Sequence, residues 1–247
     1  MRRFITAVSA AAFFVGIVTP MSAMSSAQYP RGNGDAAAGK NIFENGKGDV
    51  PACTSCHGAD GMGDDNMGTP RIAGQFATFL RKQLEDFATD KRKDTTMFVM
   101  NANAKGLSAK DRNDVSTYLE SIDAEFGGSN LKELAEMGTK VGAAHKGKSL
   151  VEWGQGNRAK PVSACRSCHG FNGRGAPPVY PRIGGQRYSY LVKQLKQWRD
   201  GTRTNDPMSQ MQIIARNMTD EDIIDAAAYL TNASDYSDGN FFTPYKQ

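Results

Sequence analysis

The segments Cys53-Thr54-Ser55-Cys56-His57 and Cys165-Arg166-Ser167-Cys168-His169 contain all four cysteines and two of the three histidines of this 247-residue chain. Two thiols spaced in this way can each form a thioether with a vinyl group of one haem. The histidine that follows can then come up beneath the porphyrin as an iron ligand. The expected chemistry is two covalently attached haem c groups, bonded through Cys53, Cys56, Cys165 and Cys168, with His57 and His169 as axial ligands. Other uses of paired cysteines fit less well. A redox dithiol needs no following histidine and sits in a βαβ pattern that is not found here. A shared four-cysteine zinc site leaves His57 and His169 unexplained, and a disulfide framework does not suit so few cysteines over so long a chain.

The sixth iron position decides between electron transfer and catalysis. No cysteine remains, and the one remaining histidine, His145, lies in a Lys-rich stretch and reads as surface. Methionine is the candidate, since a thioether opposite histidine raises the haem potential. Of the eleven methionines, Met1, Met21 and Met24 fall in an export signal and Met137 in a linker, while Met62, Met67 and Met218 have no methionine at the matching position of the other copy. Two pairs remain, Met97 with Met208 and Met100 with Met211, each 111 residues apart. Spacing alone does not choose between them.

The elements that must position these ligands occur twice. Pro70-Arg71-Ile72-Ala73-Gly74-Gln75 returns as Pro181-Arg182-Ile183-Gly184-Gly185-Gln186, and Lys82-Gln83-Leu84 as Lys193-Gln194-Leu195, both 111 residues on. The stretch 111–119 returns as 222–230 at the same offset, and the cysteine motifs are 112 apart. A repeat this long with one motif per copy indicates a duplicated domain. Within each copy, apolar residues at helical spacing predict a short helix before the motif, over 36–44 and 146–153. A second follows the Pro-Arg-Ile segment over 75–87, with its counterpart carrying Tyr188, Leu191, Leu195 and Trp198. The last helix of each copy begins after a hydroxyl cap, Ser108 or Thr219, followed by acidic residues that favour a helix N-terminus. No alternating strand pattern stands out. The fold class expected is all-α, two tandem small helical domains each wrapped around one haem. The boundaries are 28–122 and 146–233, joined by a linker at 123–145 that carries a short helix over 131–137 and followed by a tail at 234–247.

Residues 1–27 read as a secretory signal peptide. Arg2 and Arg3 precede the apolar stretch 4–18, and Ser25-Ser26-Ala27 offers a cleavage site after Ala27. Export to the periplasm agrees with covalent haem, and the apolar stretch falls short of the roughly 20 residues of a spanning helix. Without Arg2 and Arg3 the charge balance is 28 Lys+Arg against 26 Asp+Glu. This gives no reason to expect a nucleic-acid partner, which requires a concentrated basic stripe.

The haem motif, Pro-Arg-Ile-x-Gly-Gln, Lys-Gln-Leu and the Tyr118-Leu119 and Tyr229-Leu230 helices stand in the order of a known family. The chain resembles the di-haem class I cytochromes c of the cytochrome c4 type from residue 36 to about residue 232. The resemblance implies two tandem class I cytochrome c folds. It also implies a distal methionine seven residues before the apolar residue that precedes the last helix's cap, here Leu107 and Met218. That rule selects Met100 and Met211 as axial ligands and makes Met97 and Met208 neighbouring core. The longer interdomain segment and the added tail depart from the family.

The function expected is a soluble periplasmic electron carrier passing single electrons through two His–Met irons. The resemblance implies partners such as a membrane quinol-oxidising complex and a terminal oxidase, with peripheral association at the membrane compatible with both. The alternative is a di-haem subunit of a periplasmic dehydrogenase such as a flavocytochrome. A di-haem enzyme is the weaker reading: it needs a vacant or labile iron position, a cysteine ligand or extra histidines, and the last two are missing from the sequence.

Overall fold

The computed structural model describes residues 32–96, 99–123 and 127–233. The proposed signal peptide, Met97 and the C-terminal tail lie outside them. Among the described residues the regular structure is helical, with isolated bridges in place of strands.

The first half holds α1 (Ala36–Asn45), α2 (Thr54–His57), α3 (Ala77–Ala88), α4 (Val99–Gly106) and α5 (Ala109–Ser121). A short α6 (Leu131–Glu136) follows. The second half repeats the order as α7 (Ala144–Trp153), α8 (Arg166–His169), α9 (Tyr188–Asp200), α10 (Gln210–Ala215) and α11 (Asp220–Leu230).

The same device sets the first and last helix of each half against one another. Gly39 of α1 meets α5 so closely that a Cβ there would stand 2.1 Å from the Asp114 carbonyl oxygen; at Gly147 of α7 it would stand 1.8 Å from that of Asp225 on α11. Only a residue without a side chain lets the two backbones cross at that distance. Ser108 and Thr219 both form full capping boxes, with Asp111 and Asp222 as their reciprocal partners.

The apolar faces close two separate cores. Ile42, Phe43, Leu80, Leu107, Val115 and Leu119 form the first. Leu150, Val151, Tyr188, Leu191, Met218 and Ile223 are among those forming the second. The stretch read as linker is folded onto the second half: Leu134 of α6 is buried in that core, and the buried Ser129 amide donates to Thr231 Oγ1 at 2.9 Å. His145 lies in the first turn of α7, exposed.

The halves meet through repeat-matched glutamines that make reciprocal bonds. The Arg71 amide donates to Gln186 Oε1 at 2.7 Å while Gln186 Nε2 donates to the Arg71 carbonyl at 2.9 Å. In the opposite sense, the Arg182 amide donates to Gln75 Oε1 at 3.1 Å and Gln75 Nε2 to the Arg182 carbonyl at 2.8 Å. A second reciprocal set lies between α3 and α9. Arg92 donates to Gln83 and Gln194 at 2.8 and 2.9 Å, and Arg203 donates to the same two carbonyls. Phe87 lies under Arg92 and Trp198 under Arg203, at 4.6 and 4.2 Å. Burial, and after it the neighbouring Arg92 charge, push Arg203 down to about 9. Each half therefore faces the other with matching residues, which is the interface expected of a duplicated domain.

Candidate haem sites

Each Cys-x-x-Cys-His segment folds into one helical turn. Cys53 stands at the N-cap of α2 and Cys165 at that of α8, and the helices end at His57 and His169, just before a left-handed glycine, Gly58 or Gly170. One turn places both thiols and the imidazole on the same short piece of backbone. That is the donor set required to bond one haem at its edge and reach its iron from one face.

Both imidazoles are buried, with 7% of their surface exposed. His57 Nδ1 lies 3.0 Å from the Pro70 carbonyl and His169 Nδ1 lies 2.8 Å from the Pro181 carbonyl. A carbonyl can only accept, so Nδ1 carries the proton and Nε2 keeps its lone pair. Burial lowers the pKa of both histidines, the proline carbonyls opposing it, so the neutral form is the one held. A buried neutral imidazole with Nδ1 engaged and Nε2 free is set up as an iron ligand. The Pro-Arg-Ile repeat supplies this orienting carbonyl, a role not assigned to it from sequence, although its recurrence 111 residues on was the available clue.

The thiols behave unlike those of a redox dithiol. Burial pushes Cys53 and Cys165 up to about 11. A reactive dithiol lowers its leading thiol instead. Among the described residues, no three or more His, Cys, Asp and Glu side chains gather in a way that could hold a metal ion. The four cysteines therefore form two separate pairs, each beside its own histidine.

Met100 and Met211 lie in the first turns of α4 and α10, both partly buried. The residue after each one fastens its helix to the preceding loop. Buried Asn101 accepts from the Asp94 amide at 2.8 Å and donates to the Phe87 and Arg92 carbonyls, each at 2.9 Å. Buried Gln212 donates to Asp206 through both its amide, at 3.1 Å, and its side chain, at 2.8 Å. These two positions were missed from sequence, because a polar residue in a short helix reads as solvated until its burial is known. Met208 corrects an expectation: in place of core it is 80% exposed, in a turn where both it and Ser209 take left-handed φ values of 54°. The turn before α10 directs it outward.

The family model described as Cytochrome c matches residues 36–123 and again 154–234. The chain is 36% identical over 206 residues to the "Thiosulfate dehydrogenase electron acceptor" of Stutzerimonas stutzeri (strain A1501), covering 83% of this chain and 90% of that protein. It is 33% identical to "Cytochrome c4" of Pseudomonas aeruginosa, covering 80% and 88%. Among solved structures it is similar to reduced cytochrome c4 of Pseudomonas stutzeri, with a TM-score of 0.66, 28% identity, and coverage of 81% of this chain and all of that one. It is also similar to a thiosulfate dehydrogenase of Marichromatium purpuratum, with a TM-score of 0.69, 30% identity, and coverage of 85% of this chain but 43% of that one. The tandem match, the two motifs and the relatives converge: the chain belongs to the cytochrome c family, as a di-haem electron-transfer protein of the cytochrome c4 type carrying two covalent haem c groups.

Proposed function

We propose that this protein is an exported, periplasmic carrier that takes single electrons from a dehydrogenase and delivers them to a respiratory acceptor, and is not itself an enzyme. Bound haem supplies a one-electron iron couple. Around it, Cys53, Cys56, Cys165 and Cys168 hold the group covalently. His57 and His169 would bind the iron through Nε2, their rings fixed by the Pro70 and Pro181 carbonyls. Met100 and Met211 would supply a thioether to the iron of their own half, with Asn101 and Gln212 tying their helices in place. An iron bound by both a histidine and a methionine would keep no position for a substrate.

The observation that carries this reading is the clamp on the histidines, repeated in both halves, together with the partial burial of the repeat-matched Met100 and Met211. The relatives' names favour thiosulfate dehydrogenase as the dehydrogenase class. The c4 resemblance implies a terminal oxidase as the respiratory acceptor, and a quinol-oxidising complex as the other class of donor.

The test is stopped-flow mixing of the haem-loaded protein with thiosulfate, with and without a thiosulfate dehydrogenase. The protein alone is expected to stay oxidised, and the added enzyme should deliver two electrons per polypeptide. Steady thiosulfate oxidation by the protein alone would make it an enzyme. A failure to accept electrons from the dehydrogenase, with rapid reduction by a quinol-oxidising complex, would place the donor elsewhere in the chain.

A further inference from the structure

This inference rests on the carrier reading and concerns where a partner meets the molecule. The surroundings of the two haem-attachment turns are opposite in charge. Segment 144–180 carries Lys146, Lys148, Arg158, Lys160, Arg166 and Arg174 against a single acidic residue, Glu152. The matching segment 36–69 carries Lys40 and Lys47 against Glu44, Asp49, Asp60, Asp64 and Asp65. Arg158 is paired with Asp222 at 2.8 Å and Arg166 with Glu152 at 3.1 Å, whereas Lys146, Lys148, Lys160 and Arg174 are exposed.

In the basic segment Trp153, the last residue of α7, is 77% exposed. It is not a loose side chain. The Arg166 guanidinium, which belongs to the haem-attachment turn itself, lies 5.3 Å from the Trp153 ring and 5.9 Å from the Phe171 ring. Glu152, 3% exposed, holds Arg166 from the interior. The indole is thereby kept beside the turn that bonds the second haem. The first half has Asn45 at the end of the equivalent helix and Thr54 in place of Arg166. An exposed tryptophan in a segment of exposed cations has the composition of an interface anchor, since tryptophan and arginine dominate binding hot spots and opposite charge steers encounter.

We propose that Trp153 and Arg166, with the exposed Lys148, Lys160 and Arg174 of the same segment, form the docking surface for a redox protein whose own cofactor edge is bordered by carboxylates, and that electrons cross there to or from the second haem. In the transfer, one electron leaves the reduced metal of one protein and enters the oxidised metal of the other, with no bond made or broken.

The test uses the full haem-loaded protein, reduced, and an oxidised blue-copper protein of strongly negative net charge as the probe, mixed by stopped flow at low ionic strength. The variant Lys148→Glu/Lys160→Glu/Arg174→Glu is expected to lower the second-order rate constant about 30-fold, with the difference fading at high salt. Trp153→Ala should lower it about 10-fold at either ionic strength. Asp49→Lys/Asp60→Lys in the first half should leave the rate through the second half in place. Spectroelectrochemical titration with small mediators accompanies each variant. If both haems cycle normally while the copper-protein rate ignores the basic residues, or depends on Asp49 and Asp60 instead, the docking surface is overturned and the carrier reading stands. If the mediators cannot cycle the haems of the unaltered protein, both fall.

Discussion

The two halves are alike where they face the iron and each other, and unlike where they face outward. Both cross their outer helices over a glycine, both clamp the histidine with a proline carbonyl, and both bond across the interface through matched glutamines. Around the attachment turn they diverge. In the first half Thr69 Oγ1 donates to the Cys56 carbonyl at 2.7 Å, while its counterpart Tyr180 instead meets the His169 ring edge-on at 6.0 Å. The second half adds Leu134 to its core and displays Trp153 to solvent. Duplication thus kept the geometry that holds a haem and released the surface that meets a partner.

The comparison can be broken first at the shared chemistry. Cys165→Ala/Cys168→Ala should lower covalent haem from two groups per polypeptide to one, read by pyridine haemochrome against protein concentration; a ratio still at two would refute the assignment of the second motif. The shared helix crossing comes next. Gly39→Ala and Gly147→Ala each force a Cβ into a backbone carbonyl and should cost about 3 kcal/mol or more in urea unfolding. Gly156→Ala, where a Cβ meets nothing within 4 Å, should stay within about 0.5 kcal/mol.

The interface glutamines follow. Gln75→Ala and Gln186→Ala each leave main-chain groups across the interface without partners and should cost about 2 kcal/mol. A double-mutant cycle should show the two losses to be less than additive, because the halves separate together. Full additivity would mean that the two pairs do not act as one interface.

The smallest effect lies at the caps. Burial raises the Asp111 and Asp222 carboxyls, but Lys47 and Arg158 with the cap hydroxyls more than offset it and hold both below 3.8. A lowered folded pKa gives stability that is present above pH 3.8 and lost as the pH falls through the folded values. The urea midpoint should therefore drop as the pH is lowered from about 5 to about 2, and less steeply in Asp111→Asn/Asp222→Asn.

Much of this was legible in the chain because it was written twice. Two copies of Cys-x-x-Cys-His identify both attachment points, and the constant offset from Pro70 to Pro181 and from Ser108 to Thr219 fixes the order of helices around them. What the repeat could not reveal was the physical role of residues whose side chains read as polar surface. Gln75 and Gln186 lie at the junction, and Asn101 and Gln212 are buried anchors, because the partners that satisfy them are main-chain groups distant in sequence. Met208 was misplaced for a related reason: the left-handed turn at Met208 and Ser209 is a local backbone choice that apolar periodicity does not encode. The linker reads as polar because its apolar anchors, Leu131, Leu134 and Val141, are few and widely spaced among charged residues.

In the proposed carrier, each iron would be held between a clamped histidine and a methionine, leaving it to pass electrons. The most direct measurement is the near-infrared sulfur-to-iron band of the ferric protein, recorded for the unaltered chain and for Met100→Ala and Met211→Ala separately. A band accounting for both haems is expected, of which each substitution removes half. A high-spin spectrum in the unaltered protein, or loss of the band on replacing Met97 or Met208 instead, would contradict it.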